Sequence, residues 1–280
     1  MPRTTDAPRA GPQASAPALA SPGVGGLLRD YARLSRTPLS VLVFLLPLII
    51  VYELGLVLRH DELSAIGGVR AWAMLAEALQ LLGVSPSTVV GYSLPAAVIV
   101  AVLLCWHLLE RHRWSVRPSV LAMMALESFA WMVPLLLMAG VLARLGAPPH
   151  DPTAQPMVPA TVQSLANLSW QGRLVIALGA GLYEELLFRM ALLALLHAVL
   201  ADLCRLGPRA VLAIALPISA AAFALYHGVW TSAGLAVGPA LLYLIGGLYL
   251  GAIYMLRGFG IAVGTHACYN TIVLVLLGPA

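Results

Sequence analysis

Three short stretches hold ionisable and amide side chains in apolar surroundings: GLYEELLFRM at 181–190, FALYH at 223–227 and HACYN at 266–270. On an α-helix Arg189 lies four residues after Glu185, so the two share a face and can pair. Glu184 is turned about 100° away from Glu185, on a face whose preceding positions are Ala177, Ala180 and Gly181. Small side chains there leave space around its carboxylate. Glu185 is therefore expected to be structural and Glu184 to stand as a base. In the second stretch Phe223 comes one turn before His227, and in the third His266 and Asn270 are four apart on one face. Peptide hydrolysis needs an activated water, a proton shuttle and donors for a tetrahedral oxyanion. Glu184 with His227 can polarise the water, and His266 with Asn270 can hold the oxyanion. No serine stands in a nucleophile setting, and Cys268, two residues from His266, points elsewhere on its helix.

Other chemistries use the same residues. Three charges in an apolar helix can form a buried packing network, a histidine near a helix end can be interfacial, and a His/Asn pair can join two helices. Glu184, His227 and His266 could hold Zn²⁺ and leave an open position. However, there is no HExxH, and asparagine is an uncommon zinc ligand. The expectation is a glutamate-activated water with no metal and no cofactor.

These residues need helices to carry them. The chain has 280 residues, 60% hydrophobic and 10% charged, against about 25% charged in soluble domains. Its apolar runs reach the ~20 residues that cross a bilayer as a helix. The expected fold is all-α, a polytopic transmembrane bundle of about seven spans at roughly 39–58, 89–109, 119–143, 173–203, 209–228, 236–256 and 260–278. The segment 64–83 has helically spaced apolar residues together with Arg70 and Glu77, which suits an interfacial amphipathic helix. Residues 1–27, rich in Pro, Ala, Ser and Gly, are expected to form a disordered tail with no cleavable signal. Residues 28–165 then hold the N-terminal helices and a Pro-containing loop at 146–170, and 166–280 the catalytic core. Gly247 and Gly251 form a GxxxG suited to close helix packing. Three unclustered cysteines give no disulfide or metal pattern. Glu53 and Glu127 are further carboxylates within spans and candidates for the substrate cavity.

All sixteen cations are arginine. With seven spans, eleven of them (Arg3, Arg9, Arg29, Arg33, Arg36, Arg111, Arg113, Arg117, Arg205, Arg209 and Arg257) fall on one side. Arg59, Arg70, Arg144 and Arg173 fall on the other. The positive-inside rule puts the N-terminus in the cytoplasm and the C-terminus outside. The basic charge sits in short loops, which fits a lipid bilayer as partner and excludes nucleic acid. His227 near an outer span end places the site at mid-membrane or toward the outer face. The expected substrate is a membrane-anchored or exported protein or peptide.

In order, EELLFR, FALYH and HACYN match the motifs EExxxR, FxxxH and HxxxN. On these the chain resembles the CPBP family, which holds the CAAX prenyl proteases of the Rce1 type and bacterial relatives (Abi) linked to bacteriocin self-immunity. The resemblance covers about residues 170–275. It implies a helical intramembrane endopeptidase of the glutamic type, and the expected location is the bacterial inner membrane. It also implies that Glu184 and His227 activate water and that His266 and Asn270 hold the oxyanion, with Glu185, Arg189 and Phe223 in support. The alternatives are a zinc-dependent membrane protease and a non-enzymatic immunity-type membrane protein. A proton-relaying transporter is a third class, against which stands the lack of paired repeats.

Overall fold

The computed structural model describes residues 24–65, 68–81, 83, 93–111, 113–145, 165, 167–231 and 234–278. They form a helical bundle: α1 Val24–Leu34, α2 Pro38–Leu58, α3 His60–Ser64, α4 Arg70–Gln80, α5 Leu94–Glu110, α6 Pro118–Leu145, α7 Trp170–Leu203, α8 Pro208–Tyr226, α9 Val237–Arg257 and α10 Phe259–Leu276. A two-stranded antiparallel ribbon, Trp230–Thr231 with Gly234–Leu235, joins α8 to α9.

Six of these helices (α2, α6, α7, α8, α9 and α10) are long and apolar enough to cross a membrane, so the chain is an integral membrane protein. The expected second span appears as α5, with 17 described residues, and residues 84–92 before it lie outside the described set. The tail segment ends in helix, since α1 begins at Val24. The rest of that tail, and 146–164 of the expected loop, also lie outside the described residues. The helix expected over 64–83 is broken. α3 ends at Ser64 and α4 starts at Arg70, with Gly68 between them in the left-handed region at φ +64°.

Chain punctuation sets the helix starts. Pro38 and Pro208 occupy first-turn positions, where proline loses no intrahelical hydrogen bond. Ser169 caps α7: its Oγ accepts from the Gly172 N–H at 3.1 Å. The Glu62 carboxylate of α3 in turn accepts from the Ser169 amide and, at 2.9 Å, from its hydroxyl. The start of the long central helix is thus tied to the N-terminal half of the chain.

Close crossings hold the bundle. The GxxxG of α9 meets α8: a Cβ on Gly247 would lie 3.0 Å from the Ala220 Cα. α7 and α10 cross at Gly181, where an added Cβ would lie 2.8 Å from the Ala267 nitrogen and 2.9 Å from its Cα. Where the sequence suggests open space beside Glu184, the helix backbone of α10 fills it. Without a hydrophobic driving force between helices in lipid, such close packing is what associates them.

Candidate active site

α7 is not one regular helix. Its first segment, Trp170–Glu185, is α-helical, and a π-helical segment, Leu186–Leu192, begins directly after the glutamate pair. π segments widen the turn and recur at functional sites. Here the widened turn holds Phe188 and Arg189. The Ser219 hydroxyl of α8 donates to the Phe188 carbonyl at 2.8 Å, giving a backbone acceptor in the irregular segment a partner.

Arg189 is fully buried. Its Nη1 lies 3.1 Å from Glu185 Oε1, and its Nη2 donates to the Gly247 carbonyl of α9 at 3.2 Å. Its guanidinium carbon stands 4.3 Å from the centre of the Phe223 ring, within cation–π range. The pair expected from i, i+4 spacing is therefore present, and it also ties α7 to α8 and α9.

Glu185 does more than pair with arginine. Its Oε1 also accepts from His266 Nδ1 of α10, at 2.8 Å. This hydrogen bond fixes the imidazole and turns its Nε2 toward Glu184, 3.8 Å from Oε2. From the other side His227, just past the end of α8, brings its Nε2 to 3.5 Å from the same oxygen. The His227 Nδ1 donates to the Phe223 carbonyl at 2.8 Å, which leaves the Nε2 lone pair facing Glu184. Glu184 is 5% exposed, and among the described residues its Oε2 has no hydrogen-bond partner. Both Nε2 distances exceed a direct hydrogen bond, and a bridging water is the ordinary occupant of such a gap.

Aromatic rings hold the histidines in place. Phe223 sits among His227 (4.5 Å), Phe188 (5.5 Å) and His266 (5.9 Å), measured between ring centroids. Tyr243 of α9 stacks on His227 at 3.9 Å with planes 17° apart. Tyr226 packs edge-on against His227, and Arg70 of α4 donates to the Tyr226 carbonyl at 2.6 Å. Tyr243 and Arg70 carry no motif, so sequence reasoning had nothing to find them by.

The structure thus brings together Glu184, Glu185, Arg189, Phe223, His227 and His266. Asn270 lies one turn beyond His266 on α10, half-buried, and makes no hydrogen bond to the other three candidate catalytic side chains among the described residues. Glu53 is half-buried and accepts from the Tyr183 hydroxyl at 3.3 Å. Glu127 stands apart. It binds Arg257 through two hydrogen bonds, one of them 2.7 Å from Nη2, and accepts from Tyr31 at 2.5 Å and from Trp131 at 3.1 Å. That is the partner its place in a span requires, and it ties α1, α6 and α9 together. The Tyr31 hydroxyl, outside the spans, is pushed up by burial and by this carboxylate.

Among the described residues, no group of three His, Cys, Asp or Glu side chains is arranged to hold a metal ion. Chemically, the cluster is a buried carboxylate oxygen facing two imidazoles of fixed orientation, with a charged pair behind. That can accept a proton from a water and pass it on. Residues 166–272 match the family model for Rce1-like proteins, type II CAAX prenyl endopeptidases. No curated protein and no solved structure matches the chain. The matched segment contains every member of the cluster, from Glu184 to His266, and Asn270 as well.

Proposed function

We propose, from the premise that residues 166–272 are of the CAAX protease family, that this membrane protein is an endopeptidase in which Glu184 and His227 activate the attacking water. The observation that carries this reading is the buried Glu184 Oε2, without a hydrogen-bond partner among the described residues and faced by the Nε2 atoms of His227 and His266. Water held there loses a proton to Glu184, which passes it to the facing His227 Nε2, as its oxygen attacks the scissile carbonyl carbon. The resulting oxyanion is held by His266 and by the Asn270 amide. His227 returns the proton to the departing nitrogen, and the C–N bond breaks.

The hydrogen bond to Glu185 sets a condition on this scheme. His266 already gives its Nδ1 proton to Glu185. To donate from Nε2 as well, its ring must carry both protons, and Glu185 is then the counter-ion. Glu185 so acts as a positioning residue for His266 in addition to holding Arg189. Preorganised donors of this kind supply about 3–4 kcal/mol each to acyl-transfer transition states.

The substrate is proposed to be a membrane-anchored or exported protein cut near the membrane. The cluster adjoins the bundle end that carries Arg70 and the ribbon, while Arg33, Arg36, Arg113 and Arg117 gather at the other end. This separation supports an arginine-rich cytoplasmic end and a site open to the opposite side. In a cysteine-free background, Val237→Cys should react with an impermeant maleimide from outside; labelling from the cytoplasmic side alone would reverse the orientation.

The test of activity compares membrane proteins in cells carrying wild-type and Glu184→Gln chains. At least one uncut substrate should accumulate with Glu184→Gln, and the purified wild type should cut it while the variant does not. Equal cutting by both would remove Glu184 from the chemistry. Cleavage should also survive a strong chelator. Loss in chelator with recovery on stoichiometric Zn²⁺ would replace the metal-free scheme with a zinc one.

A further inference from the structure

At the bundle end away from Glu184, a cavity of about 1140 Å³ lies among the end of α1, the start of α2, the end of α5, the start of α6 and the α9–α10 turn. Four arginines line it, Arg33, Arg36, Arg113 and Arg117, against one carboxylate, Glu110. Two of these side chains have partners. Arg33 lies 3.5 Å from Asp30, and Glu110 accepts from the Trp106 indole at 2.7 Å. Among the described residues no ion pair engages Arg36, Arg113 or Arg117. Like charges gathered around one space repel each other unless an anion enters. Part of the wall is apolar, including the buried Val41 and Phe259, beside the polar Thr37, Ser40 and Ser115. Just beside it α1 exposes Leu27 and Leu28, which suits a helix lying in the headgroup layer.

We propose that this cavity binds the phosphodiester headgroup of an anionic phospholipid, with the arginines on the phosphate and the apolar wall on the upper acyl chains. Guanidinium groups match phosphate oxygens in fork geometry, and basic pockets between membrane helices are suited to anionic headgroups. Pockets for drug-sized ligands measure about 300–1,000 Å³, so the space exceeds what a lone phosphate needs and admits a headgroup with its glycerol. Positive charge spread along a cytoplasmic face is expected from topology alone. A lipid site differs from it in that three particular arginines matter and others at the same end do not.

The experiment uses the full chain in phosphatidylcholine nanodiscs doped with phosphatidylglycerol, with retained lipid counted by native mass spectrometry. The wild type should retain phosphatidylglycerol over phosphatidylcholine by at least about tenfold, given about fivefold per arginine near an anionic surface. The Arg36→Gln/Arg113→Gln/Arg117→Gln variant should lose that preference. The charge-matched variant Arg29→Gln/Arg205→Gln/Arg209→Gln should keep it. Arg113→Gln alone should lose about fivefold, which tests the site should the triple variant fold poorly. Absence of preference in the wild type, or equal loss in the charge-matched variant, overturns the proposal. Competition by glycerol 3-phosphate as strong as by dihexanoyl-phosphatidylglycerol overturns its lipid part and makes a soluble phosphate the ligand. The readout involves no peptide cleavage, so it stands apart from the protease reading.

Discussion

Gly181→Ala tests whether one helix crossing sets the catalytic geometry. The new Cβ would lie 2.8–2.9 Å from Ala267 backbone atoms, whereas relaxed carbon contacts fall at about 3.5–4.0 Å. Backbone cannot rotate away as a side-chain tip can, so α10 must retreat from α7 by about 0.6 Å or more. His266 immediately precedes Ala267 and moves with it. Its 2.8 Å hydrogen bond to Glu185 would stretch past the useful range, and its Nε2 would withdraw from Glu184. Overpacking of this kind costs about 1–3 kcal/mol of stability. A misplacement of about 1 Å at a reacting centre costs about a hundredfold in rate. The assay is cleavage by the purified variant of the protein that accumulates in Glu184→Gln cells, alongside its thermal midpoint. Gly246→Ala is the control. Its Cβ would meet only Leu135 Cδ1 at 3.7 Å and Met138 Cε at 4.0 Å, so its activity should stay within about twofold. A Gly181→Ala protein with wild-type rate and midpoint would refute the claim that this crossing positions His266.

Three further changes probe the supports. Glu185→Gln leaves the fully buried Arg189 without its carboxylate and should cost about 3–5 kcal/mol. Adding Arg189→Met should recover much of that loss in thermal unfolding, and no recovery would mean the pair is not the cause. Tyr243→Ala removes the 3.9 Å stack on His227 and should lower kcat about fivefold, as the loss of about 1 kcal/mol of ring contact predicts. Tyr243→Phe should retain the rate, and equal loss in both would point to the hydroxyl instead. Glu127→Gln breaks a half-buried network with Arg257, Tyr31 and Trp131, with an expected cost of about 1–3 kcal/mol. Its kcat should be unchanged, whereas a lost kcat at an unchanged midpoint would place Glu127 in the chemistry.

The bundle was legible because spanning helices are encoded by long apolar runs. The Glu185–Arg189 pair was legible because it depends only on local spacing. That inference holds even though the backbone there is π-helical rather than α-helical. An α-helix sets Arg189 about 40° past Glu185, the wider π winding stops it short of a full turn, and either keeps the two on one face. What crosses between helices was not legible. Glu185 gains His266 from 81 residues away and Glu127 gains Arg257 from 130 away, and no periodicity in either segment carries that information. The small residues before Glu184 show why. A run of Ala and Gly reads equally well as room for water or as room for another backbone. At Gly181 the structure chooses the second, and that choice brings His266 to the glutamates. The cleft for a water is therefore not left by small side chains on α7. In the proposed scheme it lies at Glu184 Oε2, faced by the Nε2 atoms of two histidines, which Glu185 and the Phe223 carbonyl hold in orientation, so the motif residues that look merely structural are the ones that aim the two imidazoles.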